Sequence, residues 1–284
     1  MNKTAPSGNT LTLLACQIEI PQTPTVAQRD IHLEKSAEAV CAEAAAVEGR
    51  VDLIVLPELS SINYSYDTFS RLSDLAEPLD GASFKTWRQV AIKTGAHVCY
   101  SFARIDESGF FISVAVVDPA GRHLGHYDKL HLAQFGASRE RDHFQRGNHL
   151  FTFLVNGFRL APIICYDIRI PELSRALVIY HGVDVILHCG AYFRDKSFYT
   201  WHHFAVTRAI ENQVFLLSLN RAGSSFGQSL YCPPWQDDET TPLNFDDTKE
   251  DFREIKLDRR TLVDVRRNYS FLRDRLPNYD LSSI

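Results

Sequence analysis

Two stretches of this chain are almost continuously apolar rather than apolar at alternate positions: Val51 to Leu56, and Phe158 to Ile164, which ends on Cys165. Strands of that kind must be covered on both faces, by helices or by a second sheet, which limits the fold to layered α/β arrangements. Pro171 fits the first turn of a helix that continues Glu172-Leu173-Ser174-Arg175-Ala176-Leu177. Cys165 therefore falls where a strand stops and the chain turns toward a helix. Further strands are expected over 11–18, 96–104, 110–117, 122–127, 150–155, 183–188, 213–219 and 252–257. Helices are expected over 26–48, 83–93, 198–212 and 259–268, with an irregular stretch over 60–80. Ser83 is read as the cap of one helix and Gly95 as its close. Asp118-Pro119-Ala120-Gly121 and Asn156-Gly157 mark turns. The order mixes βαβ units with hairpins. No repeat or linker divides it, so residues 1–284 are expected to form one domain, with 1–9 loose.

Composition excludes several classes. The formal charge of −5 gives no footprint for nucleic acid or an anionic membrane. No apolar run approaches the ~18 residues of a membrane helix. Leu13-Leu14-Ala15-Cys16 imitates a lipoprotein cleavage box, but Ser7-Gly8-Asn9-Thr10 stands where its apolar region belongs. The six cysteines (16, 41, 99, 165, 189, 232) form no CxxC pair and lie in or beside apolar runs. That pattern suits a reducing, cytoplasmic setting better than a disulfide framework.

The chemistry-bearing candidates sit at strand ends. The strand over 51–56 runs into Glu58, the strand over 122–127 into Lys129, and the strand over 158–164 into Cys165. Ligands of α/β sheets bind at the carboxyl ends of strands. If these strands share an edge, a carboxylate, an ammonium and a thiol converge. The thiol needs a base or cation to become nucleophilic, the glutamate can serve as base and then acid, and the lysine can hold an oxyanion. Together they suffice for acyl transfer through a thioester. Taken singly, a free cysteine is as readily a small core residue, and the other two are ordinary surface charges.

At these residues the chain resembles the nitrilase superfamily of carbon–nitrogen hydrolases, from about residue 11 to 270. The matching motifs are Leu56-Pro57-Glu58, Tyr127-Asp128-Lys129-Leu130-His131-Leu132, and Ile164-Cys165-Tyr166-Asp167-Ile168-Arg169-Ile170-Pro171-Glu172-Leu173. Arg208-Ala209-Ile210-Glu211-Asn212-Gln213 and Asn220-Arg221 follow. The resemblance implies a four-layer α-β-β-α sandwich. It makes Glu58 the general base, Lys129 the oxyanion holder and Cys165 the nucleophile, with the backbone N–H of Tyr166 completing the oxyanion site. It also assigns Glu140 to orienting Lys129 and the substrate, against a residue-level reading of Glu140 as one charge in a mixed-sign surface patch. Departures are Arg146 and Cys189 at positions where proline is usual, and the acidic loop from Trp235 to Thr241.

Cys-Tyr-Asp-x-Arg looks like the branch of ω-amidases and related amidases, which implies hydrolysis of a small linear carboxamide without metal or cofactor. Arg169 and Arg194 are candidates to hold a distal carboxylate, although Arg169 suits a structural role. A nitrilase, an N-carbamoyl hydrolase and a non-catalytic scaffold are the alternatives. By the same resemblance the protein is expected to form at least a homodimer. Two patterns compete. Gly223-Ser224-Ser225-Phe226-Gly227 matches GxSxG, but a strand-like Gln228-Ser229-Leu230-Tyr231 follows it and no histidine comes later in the chain, so it reads as a hairpin turn. His123, His126 and His131 lack a metal-ligand pattern, and alternation along a strand should put His123 and His126 on opposite faces. His202 and His203 are expected on one helix, one inward and one outward.

Overall fold

The computed structural model describes residues 8–134 and 138–279. The looseness expected of residues 1–9 falls largely outside those bounds. The chain runs β1 (Thr10–Gln17), α1 (Val26–Ala46), β2 (Leu53–Val55), α2 (Tyr66–Phe69), α3 (Leu72–Leu75), α4 (Ala82–Thr94), β3 (His97–Asp106), β4 (Gly109–Val117) and β5 (His123–Asp128). It continues β6 (Phe153–Val155), β7 (Phe158–Ile164), α5 (Pro171–His181), β8 (Val185–Cys189), α6 (Thr200–Asn212), β9 (Phe215–Leu219), β10 (Leu230–Cys232), β11 (Leu243–Asn244), β12 (Asp251–Asp258), α7 (Arg259–Asn268) and α8 (Phe271–Asp274). Among the described residues these strands form two six-stranded sheets, ordered β12-β1-β2-β3-β4-β5 and β11-β10-β9-β8-β7-β6.

Side-chain alternation explains the four layers. Leu11, Leu13 and Ala15 of β1, Leu53 and Val55 of β2, and Ile112, Val114 and Val116 of β4 share one core with the second sheet and with Leu173, Leu177, Trp201 and Ala205 of α5 and α6. The intervening residues Leu14, Cys16, Ile54, Val98 and Tyr100 face a second core against Leu33 and Val40 of α1 and Trp87 and Val90 of α4. The central strands thus have two apolar faces because one meets the other sheet and the opposite one meets helices.

The parallel strands β1, β2 and β3 lie in one sheet, and β7, β8 and β9 in the other. Their carboxyl ends meet. Ala222 N–H beyond β9 donates to Ile18 O beyond β1 (2.9 Å), and Glu58 N–H beyond β2 donates to Gly190 O beyond β8 (3.3 Å). That seam is where strand-end residues of both sheets converge.

Three local expectations need correction. The helix read from Ser83 starts at Ala82 with Gly81 as its cap. Ser83 is instead bound by Glu77, which accepts its N–H at 2.6 Å and its hydroxyl at 2.7 Å, so the cap comes from a carboxylate six residues upstream. His123 and His126 do not part to opposite faces, for their rings stack 5.8 Å apart. A register shift opposite Val116 and Val117 inserts a bulge at Leu124 and Gly125, which reverses the alternation. The two-residue β11 lies in a stretch where no strand was expected. Elsewhere the GxSxG stretch does join antiparallel β9 and β10 as a turn, and His202 is half-buried while His203 is exposed.

Candidate active site

Lys129 follows β5 and is fixed by its backbone, donating N–H to Ile112 O at 2.9 Å and accepting from Gly147 N–H at 2.9 Å. A Cβ on Gly147 would sit 2.2 Å from Asp128 O, so only glycine permits that approach. The lysine side chain is fully buried, with Nζ donating to Glu58 Oε1 at 2.8 Å and to Glu140 Oε1 at 2.7 Å. Glu140 begins a short 3₁₀ turn and is equally buried. Its Oε1 also accepts from Tyr64 OH at 2.6 Å and its Oε2 from Ala133 N–H at 2.8 Å. The surface-charge reading of Glu140 is therefore wrong.

Glu58 is held at both ends. Arg221, fully buried, donates to the carbonyls of Glu58, Leu59 and Ile62, and fixes the turn in which Leu59 takes φ +47°. Glu58 Oε1 is taken by Lys129. Its buried Oε2 has no hydrogen-bond partner among the described residues. A buried carboxylate oxygen without a donor is costly for the anion. Burial accordingly pushes the Glu58 carboxyl up to about 7, with Glu140 adding to the rise and Lys129 and Arg221 opposing it. Lys129 is desolvated, but Glu140 and Glu58 outweigh this and hold its ammonium well above the ordinary lysine range.

Cys165 follows β7 at the head of a 3₁₀ turn, Cys165–Arg169, with φ +43°. Asp167 locks this turn onto the Lys129 segment. It accepts Ile164 N–H (2.9 Å) and Tyr127 OH (2.7 Å) on one oxygen, and His131 N–H (3.0 Å) and Nδ1 (2.7 Å) on the other. Burial pushes the Cys165 thiol up, Glu58 and Glu140 push it further, and Lys129 with the Ala191 backbone N–H pull it down. The sulfur therefore rests as a thiol and needs an acceptor for its proton.

Cys165 and Tyr166 line a narrow cleft with a cavity volume of about 20 Å³, together with Ala133, Ala191, Tyr192 and Phe193, Arg169 and Asp195 standing at its wall. That is room for about one water molecule, well below the usual small-molecule site. Arg194 does not line it. Its guanidinium binds Phe226 O (2.7 Å) and Asp247 Oδ1 (2.7 Å) and lies over Phe198. Arg169 donates to Thr200 Oγ1 at 3.1 Å. The structure thus brings Glu58, Lys129, Glu140, Cys165 and Tyr166 to one seam. Tyr64, Asp167 and Arg221 belong there too. Asp167 and Arg221 stood inside the quoted motifs without a role. Among the described residues no group of three or more His, Cys, Asp or Glu is placed to hold a metal ion.

Residues 14–237 match the family model described as carbon-nitrogen hydrolase. An (R)-stereoselective amidase of Pseudomonas sp is 32% identical over 248 residues, covering 84% of this chain and 83% of that protein. A 2-oxoglutaramate amidase of Bacillus subtilis is 32% identical over 191 residues, covering 65% of this chain and 71% of that protein. Among solved structures, a mutant amidase from Nesterenkonia sp. AN1, showing covalent addition of the acetamide moiety of fluoroacetamide at its active site cysteine, matches with a TM-score of 0.73. It is 22% identical and covers 96% of this chain and 97% of its own, so it shares the fold.

Proposed function

This chain belongs to the carbon–nitrogen hydrolase family, and we propose that it hydrolyses a small linear carboxamide to carboxylate and ammonia through a thioester on Cys165. The observation that carries this reading is the buried Lys129 ammonium clamped between Glu58 and Glu140, with Glu58 Oε2 unpartnered among the described residues and the Glu58 charge acting on Cys165.

The steps follow from those positions. Glu58 takes the Cys165 proton as sulfur attacks the amide carbon, and the carbonyl π pair moves to oxygen. The Lys129 ammonium and the Tyr166 N–H receive that oxyanion. The oxyanion collapses, the C–N bond breaks, and Glu58 returns its proton to nitrogen, so ammonia leaves. Water then gives a proton to Glu58 and its oxygen attacks the thioester. The C–S bond breaks and the sulfur recovers a proton from Glu58. A carboxyl raised to about 7 can both take and give a proton at neutral pH. Glu140 keeps Lys129 in place throughout.

The test is ammonia release from a panel of small amides, nitriles and carbamoyl compounds, beside a Cys165→Ala variant. Ammonia from an amide, absent in the variant, is the expected result. A carboxylate from nitriles alone, or carbon dioxide with an amine from carbamoyl compounds alone, would overturn the amidase reading in favour of those activities. No turnover together with a Cys165 inert to iodoacetamide would leave a scaffold.

A further inference from the structure

Cys165 adopts a left-handed backbone conformation that a residue with a Cβ takes only when its surroundings impose it. Two side chains grip its carbonyl oxygen. Tyr192 OH donates to Cys165 O at 2.6 Å, and His188 Nε2 lies 2.9 Å from the same oxygen. A carbonyl oxygen only accepts, so Nε2 carries the hydrogen. Burial pushes His188 down to about 4, so the ring is neutral and its Nδ1 must accept; Ser218 Oγ stands 2.6 Å from it and supplies the hydrogen. Both gripping residues are themselves immobilised. His188 lies within β8, whose Ile163↔His188 and His188↔Ser218 pairings fix its height. The Tyr192 ring stacks on Trp201 at 4.7 Å, and its backbone is tied at both ends to the Asn220 amide.

One hydrogen bond would satisfy a buried carbonyl. Two donors from separate residues, one of them backed by Ser218, hold its direction. The Cys165 carbonyl and the Tyr166 N–H are opposite ends of one planar trans peptide unit and point in opposite directions. Fixing the oxygen therefore fixes the N–H, and Tyr166 lines the cleft beside the sulfur.

We propose that His188 and Tyr192 are positioning residues that aim the Tyr166 N–H at the developing oxyanion by gripping the other end of its peptide unit. This rests on the reading of Cys165 as nucleophile and of the Tyr166 N–H as oxyanion donor.

Two reactions at Cys165 separate this role from general support of the site. Iodoacetamide alkylates sulfur by displacement at a saturated carbon: the S–C bond forms, iodide leaves, and no oxyanion arises. A small aldehyde such as propionaldehyde adds reversibly: the S–C bond forms and the carbonyl pair moves to an oxygen that needs the donors. Aldehyde affinity is read as protection against alkylation. In Tyr192→Phe, alkylation stays within about twofold of wild type, while aldehyde affinity and kcat for amide each fall about tenfold or more, below the loss from deleting a whole oxyanion donor. KM changes little. His188→Leu behaves alike, and His188→Gln, whose amide N–H can reach the same oxygen, recovers most of the loss. A parallel fall of alkylation and aldehyde affinity, or an unchanged ratio of the two, overturns the proposal. So does a wild-type protein that captures no aldehyde. A wild type that captures aldehyde yet releases no ammonia from any amide counts against the amidase reading alone, and the aldehyde ratio still decides this one.

Discussion

Replacing Glu140 by Gln tests the charge arrangement most directly. The carboxylate takes three donors, Lys129 Nζ and Tyr64 OH on Oε1 and Ala133 N–H on Oε2. A glutamine has one acceptor oxygen. Its cheapest placement keeps that oxygen on Lys129 and Tyr64 and turns its NH₂ toward Ala133 N–H, donor against donor. A buried N–H left without an acceptor costs about 1–3 kcal/mol; the lost charge attraction to Lys129 adds to that, and relief of the Glu58–Glu140 repulsion offsets part of it. The net loss of stability is about 2 kcal/mol, measurable as a lower urea midpoint at unchanged slope. The charge effect is separate. Glu140 raises the Glu58 carboxyl, so removing its charge lowers that group. The acid limb of the pH–rate profile moves to lower pH by on the order of one unit. A weaker base and a shifted Lys129 reduce kcat on the order of 10²-fold. A variant with wild-type kcat and an unmoved acid limb would refute this reasoning, and a stability change within about 0.5 kcal/mol would return Glu140 to the status of a surface charge.

Further predictions concern the same network. Glu58 is raised from an ordinary 4.5 to about 7, so the folded protein keeps a proton that the unfolded chain releases; stability from this group is full below about 4.5 and is lost as pH rises through about 7, by roughly 3 kcal/mol. Glu58→Gln should therefore lose less stability than wild type between pH 5 and pH 8 in urea unfolding, and identical pH dependence would sink the assignment. Asp167→Asn, which turns an NH₂ toward donors from Ile164 and Tyr127 or from His131, should cost about 2–4 kcal/mol and lower kcat; a wild-type denaturation midpoint would contradict it. Gly147→Ala forces a Cβ against Asp128 O at 2.2 Å and should displace the Lys129 segment at about 1–3 kcal/mol or more, with kcat falling faster than KM rises. The protein should sediment as at least a dimer at micromolar concentration, with Tyr180 of α5 and Tyr199 just before α6 standing exposed; a monomer alone would contradict it.

What was legible in the sequence follows from range of interaction. β7 and the helix at Pro171 were readable because an unbroken apolar run and a proline at the first helical position are local statements. The Asn156-Gly157 hairpin was readable for the same reason, both residues taking positive φ. Glu58, Lys129 and Cys165 were visible as chemistry at strand ends, and their motifs carried Glu140 along. Tyr64 meets Glu140 across 76 residues and Arg221 meets Glu58 across 163, with no periodicity to announce either contact. The bulge that reunites His123 with His126 depends on one extra residue opposite Val116, which alternation along the strand conceals. The protonated state of Cys165 could not be read either, because motif and spacing carry no measure of burial.

Under the proposed mechanism, the seam's charges give each of the two glutamates a separate part. With Glu58 ionised, the carboxylates of Glu58 and Glu140 stand against Lys129 and the buried Arg221, two anions against two cations, and a neutral Cys165 thiol shares their field. A thiolate added to that set would leave a net negative charge in a buried site, which is expensive. The proposed attack would avoid this: the proton would pass from sulfur to Glu58 while a negative charge appears on the substrate oxygen, so the total is unchanged. At that moment Glu58 no longer balances Lys129, and Glu140 is the carboxylate that still does. The oxyanion takes the place Glu58 has vacated, on an ammonium already held in position. Reaction then moves charge between fixed partners without creating any, which is the condition under which a low-dielectric site lowers a barrier rather than raising it.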